Sequence, residues 1–159
     1  MVITEIDPTN REAVNAFIRR QWFTTQMAVH GECFDLAAAD GWVARENGNI
    51  IGLITYRISC DEMEILSLDS LLENRGIGTA LLDMALYKAK RDGLTRVVLF
   101  TTNDNLRALR FYQKRSFDMV MIHRNAVEQA RTLKPEIPLI GMDNIPLRHE
   151  IELEMLLKQ

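Results

Sequence analysis

The sequence is poor in groups that staple a chain, hold a metal or anchor it in a membrane. Only two cysteines occur in 159 residues, Cys33 and Cys60, and no C-x-x-C pair exists. That spacing encodes neither a disulfide framework nor a thiolate zinc site. The two cysteines read as small buried apolar groups in a reduced, cytoplasmic protein. His30, His123 and His149 stand far apart without metal-ligand spacing, so no metal is expected. No apolar run approaches the ~18–20 residues of a membrane span. Residues 1–8 carry acids rather than a basic and then apolar leader, so no membrane partner is expected. The net charge of −3 provides no basic excess for nucleic acid. What is present is an ordinary globular balance, 47% hydrophobic and 26% charged. The chain is long enough to bury a core unaided, and short enough for one domain over residues 1–159.

Local patterns predict a mixed order of elements without internal repeats. Residues 1–5 read as a strand. Asp7-Pro8 predicts a helix start, since aspartate caps and proline suits the first helical position. Val14, Phe17, Ile18 and Trp22 then share one face. Residues 24–40 read as a short helix plus loop. Residues 42–45 and 50–59 read as strands joined by Glu46-Asn47-Gly48-Asn49, whose centre accepts positive φ. Another strand covers 63–69. Residues 76–91 carry the clearest helix signal: Leu81, Leu82, Ala85, Leu86 and Ala89 line one face, and Gly93 ends it. Residues 97–100 form an apolar run suited to a strand covered on both faces. A helix at 105–115, a strand at 118–123 and a helix at 126–133 follow. The last strand shows in the alternation of Ile151, Leu153, Met155 and Leu157. The connection 124–150, with Pro135, Pro138 and Pro146, is long for a compact domain and reads as functional. Its Arg131, Lys134 and Arg148 either hold an acidic acceptor or are solvated. This order predicts an α/β fold.

A strand, then Asn74-Arg75-Gly76-Ile77-Gly78-Thr79, then a strong helix is an anion-binding arrangement. A helix N-terminus has unpaired N–H donors and partial positive charge. Glycines let the backbone approach the anion closely. Two other nucleotide signatures fail. A dinucleotide G-x-G-x-x-G needs glycine where Leu81 stands, and the G-K-[ST] of a Walker loop is absent.

The stretch Glu73-Asn74-Arg75-Gly76-Ile77-Gly78-Thr79-Ala80-Leu81-Leu82 resembles motif A of the GNAT acetyltransferases, Q/R-x-x-G-x-G/A before an apolar helix. Asn105-Leu106-Arg107-Ala108-Leu109-Arg110-Phe111-Tyr112-Gln113-Lys114-Arg115-Ser116-Phe117 resembles motif B, N-x-x-A-x-x-(F/L)-Y-x-x-x-G-F. The resemblance spans residues 40–122, and residues 126–153 resemble a bacterial subgroup of the family. Two positions depart from the pattern: Glu73 replaces Gln or Arg, and Ser116 replaces a glycine that serves positive φ.

The resemblance implies a single-domain GNAT fold, its central mixed sheet splayed at an acetyl-CoA cleft with helices on both faces. It implies that pantetheine pairs with the strand edge at 67–72 through the backbone of Leu68 and Ser70. The pyrophosphate then takes N–H groups of Arg75, Gly76, Ile77, Gly78, Thr79 and Ala80. Asn105 contacts the pantetheine arm, and Tyr112 donates a proton to the leaving thiolate. Asn105 also suits a plain helix cap, Tyr112 a core aromatic and Asn103 a loop turn.

The chemistry needs a base, because an amine of pKa about 10.4 is neutral in only about one molecule in 10³ at pH 7. Glu64 is the first candidate: it precedes Leu68 by four residues, which by strand alternation puts both on one face. The competing reading makes Glu64 a solvated strand-end acid. Asp69 is second, on the opposite face unless a bulge re-aims it. Trp22, Phe23 and Met27 either line the acceptor pocket or pack in the core. The resulting expectation is an acetyl-CoA-dependent N-acetyltransferase, monomer or homodimer, acting on a primary amine of a small molecule or peptide. Transfer is by direct attack in a ternary complex. The alternative is a catalytically silent acyl-CoA-binding sensor or interaction module of the same fold.

Overall fold

The computed structural model describes residues 1–29 and 31–158, so His30 lies outside the described residues. The elements in chain order are β1 (Val2–Glu5), α1 (Arg11–Trp22), β2 (Gln26–Val29), β3 (Glu32–Asp35), β4 (Asp40–Glu46), β5 (Asn49–Ser59) and β6 (Glu62–Ser70). There follow α2 (Ile77–Arg91), β7 (Arg96–Thr102), α3 (Leu106–Gln113), β8 (Asp118–His123), α4 (Ala126–Leu133) and β9 (Glu150–Leu156). Contacts group them into two compact units, one of Met1–Met27, Asp35–Val97 and Leu157–Gln159, the other of Ala28–Phe34 and Val98–Leu156. No described helix is long and apolar enough to cross a membrane.

In the first unit the strands run β1-β4-β5-β6, each antiparallel to its neighbour. The β4–β5 hairpin turns through Asn47 (φ 50°) and Gly48 (φ 80°), both left-handed as a two-residue turn requires. The sheet is covered on both faces. A Cβ on Gly52 would meet side-chain atoms of Ile77 at 2.6 Å and Leu81 at 3.0 Å, so α2 packs directly on that face. Its Ile77, Leu81, Leu82, Ala85 and Ala89 are buried, and each large aliphatic contributes about 1.5–3 kcal/mol. The opposite face takes α1, which buries Val14, Phe17 and Ile18.

Several local expectations are corrected. α1 begins at Arg11, because Asp7 is used one turn earlier: its carboxylate accepts from Thr9 and Asn10 N–H and shapes a turn. The Thr9 hydroxyl, which also donates to Asp7, and then these backbone bonds hold its carboxyl below the usual range. Trp22 is 46% and Phe23 92% exposed, so neither packs in the core. Residues 24–40 supply the β2–β3 pair and a short 3-10 turn rather than an α-helix. Both cysteines are exposed, and Cys60 (φ 55°) sits in the tight turn between β5 and β6.

In the second unit the strand order is β7-β9-β8. After α4 the chain runs irregularly to β9, and its backbone needs partners. Arg131 donates to the carbonyls of Ile137, Pro138 and Leu147. The Asn103 amide donates to the Pro146 carbonyl and accepts from Arg148 and His149 N–H. Asp104, buried at 2% exposure, accepts from Met142 N–H at 2.8 Å. A Cβ on Gly141 would lie 2.0 Å from the Asp104 carboxylate, so only glycine permits that approach. Arg131 is thus directed at this chain's own carbonyls, not at an acidic acceptor. Asn103 anchors the segment rather than merely turning a loop.

Candidate active site

β6 carries backbone groups that do not pair with β5. Leu71 N–H donates to the Ile51 carbonyl at 2.9 Å, toward β5. Amide direction alternates along a strand, so Ser70 and Leu68, which pair across from Gly52 and Ile54, turn their N–H and C=O away from β5. That is the geometry needed to receive an extended ligand arm.

Beyond β6 the chain turns through Asn74 (φ 59°) and Gly76 (φ 72°) into α2. Gly76 is the N-cap, with no side-chain cap bond. A Cβ built on it meets nothing within 4 Å, so this glycine serves its positive φ and leaves open space before the helix. Ala80 N–H donates to the Gly76 carbonyl at 2.9 Å as the first bond of α2. The expectation that Ala80 N–H binds an anion is therefore corrected; Ile77 and Gly78, nearer the end, have no intrahelical acceptor. Arg75 makes a two-pronged pair with Glu46 at 3.0 and 2.8 Å, tying the β4–β5 hairpin tip to the turn. The hydrogen bond with Arg75 holds the Glu46 carboxyl below the usual range.

The face assignment of Glu64 is also corrected. Thr55 pairs with Ser67 but Tyr56 pairs with Ile65, so Leu66 is an extra residue in β6. This bulge reverses the alternation. Glu64, Ser67 and Asp69 now share one face with Arg57, Thr55 and Leu53, while Leu68 and Ser70 lie on the other. Glu64 is buried at 8% exposure and accepts from Arg57 Nε at 2.6 Å. It is a paired cross-strand carboxylate, not a solvated strand-end acid. A buried Thr55–Ser67 hydroxyl bond of 2.6 Å continues the row. Asp69 follows, accepting from the Trp22 indole N–H at 3.2 Å. Burial pushes the Asp69 carboxyl up, with the Trp22 bond offsetting part of the effect.

In the second unit Asn105 caps α3, its side-chain oxygen accepting from Ala108 N–H at 3.1 Å. Tyr112 is buried, edge-on to Phe111 at 5.0 Å and to Phe117 at 5.4 Å. Its carbonyl accepts from Arg115 and Phe117 N–H across Ser116, whose φ is 66°. Serine thus adopts the left-handed conformation for which motif B uses glycine.

Residues 6–117 match the Acetyltransferase (GNAT) family, a span that takes in the turn and ends at Phe117. The chain belongs to that family. The Bacillus subtilis (strain 168) protein YdhI is 44% identical over 152 residues, 95% of this chain and 95% of its own. An IAA acetyltransferase from Bacillus cereus ATCC 14579 superposes with a TM-score of 0.70 at 25% identity, covering 98% of this chain and 99% of that one. A GNAT family acetyltransferase from Elizabethkingia anophelis with acetyl-CoA bound has a TM-score of 0.67 at 22% identity over 98% of both chains, a likeness of fold. The fold is the mixed α/β GNAT fold, with a large mixed sheet and four α-helices among the described residues. Within the GNAT frame, sequence reasoning missed the Trp22–Asp69 and Arg75–Glu46 contacts. Both join residues far apart in the chain, and no spacing rule links them.

Proposed function

We propose that the chain is an acetyl-CoA-dependent N-acetyltransferase that moves an acetyl group to a primary amine by direct attack in a ternary complex. The observation that carries this reading is the left-handed Gly76 at the head of a 15-residue helix, with open space where a side chain would stand. That space fits a pyrophosphate facing the N–H groups of Ile77 and Gly78. The outward backbone of Leu68 and Ser70 fits the pantetheine arm, and Asn105 is proposed as a further contact to it. Bound there, acetyl-CoA supplies the activated thioester.

The chain's own groups then handle protons. We place the base at Asp69 in preference to Glu64. Glu64 is held by Arg57, whereas burial disfavours the charged form of Asp69 and makes it the readier proton acceptor. Trp22 fixes the Asp69 carboxylate, and the exposed Trp22 and Phe23 rings offer an apolar wall for the acceptor. Tyr112 is proposed to give a proton to the departing thiolate.

A thiol-release assay over polyamines, aminoglycosides, amino acids and peptides tests the reaction. Release that depends on one of these amines is expected. Tyr112→Phe keeps the ring and its packing but removes the proton donor. Turnover on the best acceptor should fall about 10-fold to 10³-fold with acetyl-CoA affinity unchanged, since a thiolate leaves tolerably on its own. Equal turnover in both forms leaves Tyr112 a packing residue. No amine-dependent release with acetyl-CoA still bound makes the protein an acyl-CoA sensor.

A further inference from the structure

A second charged feature lies in the first unit, apart from the row on β6. A concavity of about 570 Å³ opens between α1 and the β4–β5 hairpin, lined among others by Ala13, Ala16, Arg19, Arg20, Arg45 and Ile50. No acid among the described residues lines it, although acids outnumber bases 22 to 19 in the chain. The side chains of Arg19 and Arg20 make no hydrogen bond or ion pair among the described residues. Arg45 has one long bond, to the Gly48 carbonyl at 3.4 Å. The other arginines of this unit contrast with these: Arg57, Arg75, Arg91 and Arg96 each have a carboxylate partner, and Arg11 donates to the Ala39 carbonyl at 2.7 Å.

Local structure explains why the three converge. Arg45 pairs with Ile50 across a register shift in the hairpin, one residue beyond the Ala44–Gly52 pair that faces α2. Arg45 and Ile50 therefore point to the other face, toward α1. Ala13 and Ala16 keep the helix surface low, which leaves the depression. Arg19 and Arg20 sit in the last turn of α1, where cations suit the helix dipole. The dipole explains neither Arg45 nor the absence of acids around the hollow. Like charges brought together without counter-charge repel, and a multivalent anion removes that repulsion. Guanidinium forks match phosphate and carboxylate oxygens in pairs.

We propose that this concavity is a binding site for a small ligand carrying two or more phosphate or carboxylate groups, separate from the acetyl-CoA turn. The neighbouring Glu46 holds Arg75 of that turn, so the test must keep the two places apart. Inorganic pyrophosphate and citrate, titrated calorimetrically into the full chain at low salt, are the probes. At least one should bind, more weakly as salt rises. Arg45→Gln, and Arg19→Gln with Arg20→Gln, should each weaken that binding by roughly tenfold or more. Ala16→Glu keeps an exposed helix position helical and puts a carboxylate in the hollow, so it should abolish binding even if an arginine variant folds poorly. Gly76→Val should leave it unchanged. Binding of neither probe overturns the proposal. So does binding that survives Ala16→Glu, or that disappears with Gly76→Val alone.

Discussion

Gly76→Val is expected to lose acetyl-CoA affinity by about 100-fold or more while the chain still folds. The two effects separate because they act on different parts of the turn. A non-glycine residue at φ 72° costs about 1–2 kcal/mol, and a β-branched one is at the upper end. That cost is small beside the apolar face of α2, where Leu81, Leu82 and Ile77 each contribute about 1.5–3 kcal/mol. The valine side chain meets no protein atom at its Cβ, so it enters the space assigned to the pyrophosphate. Displacing the anion removes several charge-assisted hydrogen bonds of about 1.5–3 kcal/mol each, which sets the size of the loss. Calorimetric titration and circular dichroism read the two effects in one preparation. A folded Gly76→Val chain with parental affinity would show that the anion is held elsewhere.

Asp69→Asn is expected to lower turnover about 10²-fold to 10⁴-fold, the range for removal of a general base. Its effect on stability has the opposite sign. The folded state raises the Asp69 carboxyl, so it holds its proton to higher pH than the unfolded chain does. That contribution to stability is fully present below the unfolded pKa and is lost as pH rises through the folded one. At neutral pH the ionised, half-buried carboxylate opposes folding. Asparagine removes that opposition and still accepts from the Trp22 indole. Asp69→Asn should therefore melt higher than the parent at pH 7, with the gap narrowing on acidification. Glu64→Gln behaves differently: it leaves Arg57 facing a neutral amide and lowers stability. Parental turnover in Asp69→Asn together with a large loss in Glu64→Gln would return the base to Glu64.

Much of the fold was legible because short-range rules decide it. The Asn47-Gly48 turn, the apolar stripe of α2 and the left-handed Gly93 each follow from a few adjacent residues. The turn at Gly76 belongs with them. The face of Glu64 was not legible, because an extra residue in β6 is visible only against its partner β5. The same bulge explains why Asp69, ranked second by simple alternation, joins Glu64 on one face. Trp22 fits the helical stripe by period, yet α1 ends at Phe23 in a left-handed conformation and Trp22 reaches across to Asp69 instead. Arg131 shows the limit for isolated cations, since only the course of the late segment decides that its guanidinium meets carbonyls.

The most direct measurement is the melting temperature of the chain with saturating acetyl-CoA, with NAD as the control. At about 100 times its dissociation constant a ligand adds about 2.7 kcal/mol, which for a chain of this length corresponds to a rise of roughly 5–10 °C. Acetyl-CoA should produce that rise and NAD none, because Leu81 occupies the position where a dinucleotide turn needs glycine. No shift with acetyl-CoA, or an equal shift with NAD, would contradict the assignment of the turn at Gly76 to acetyl-CoA.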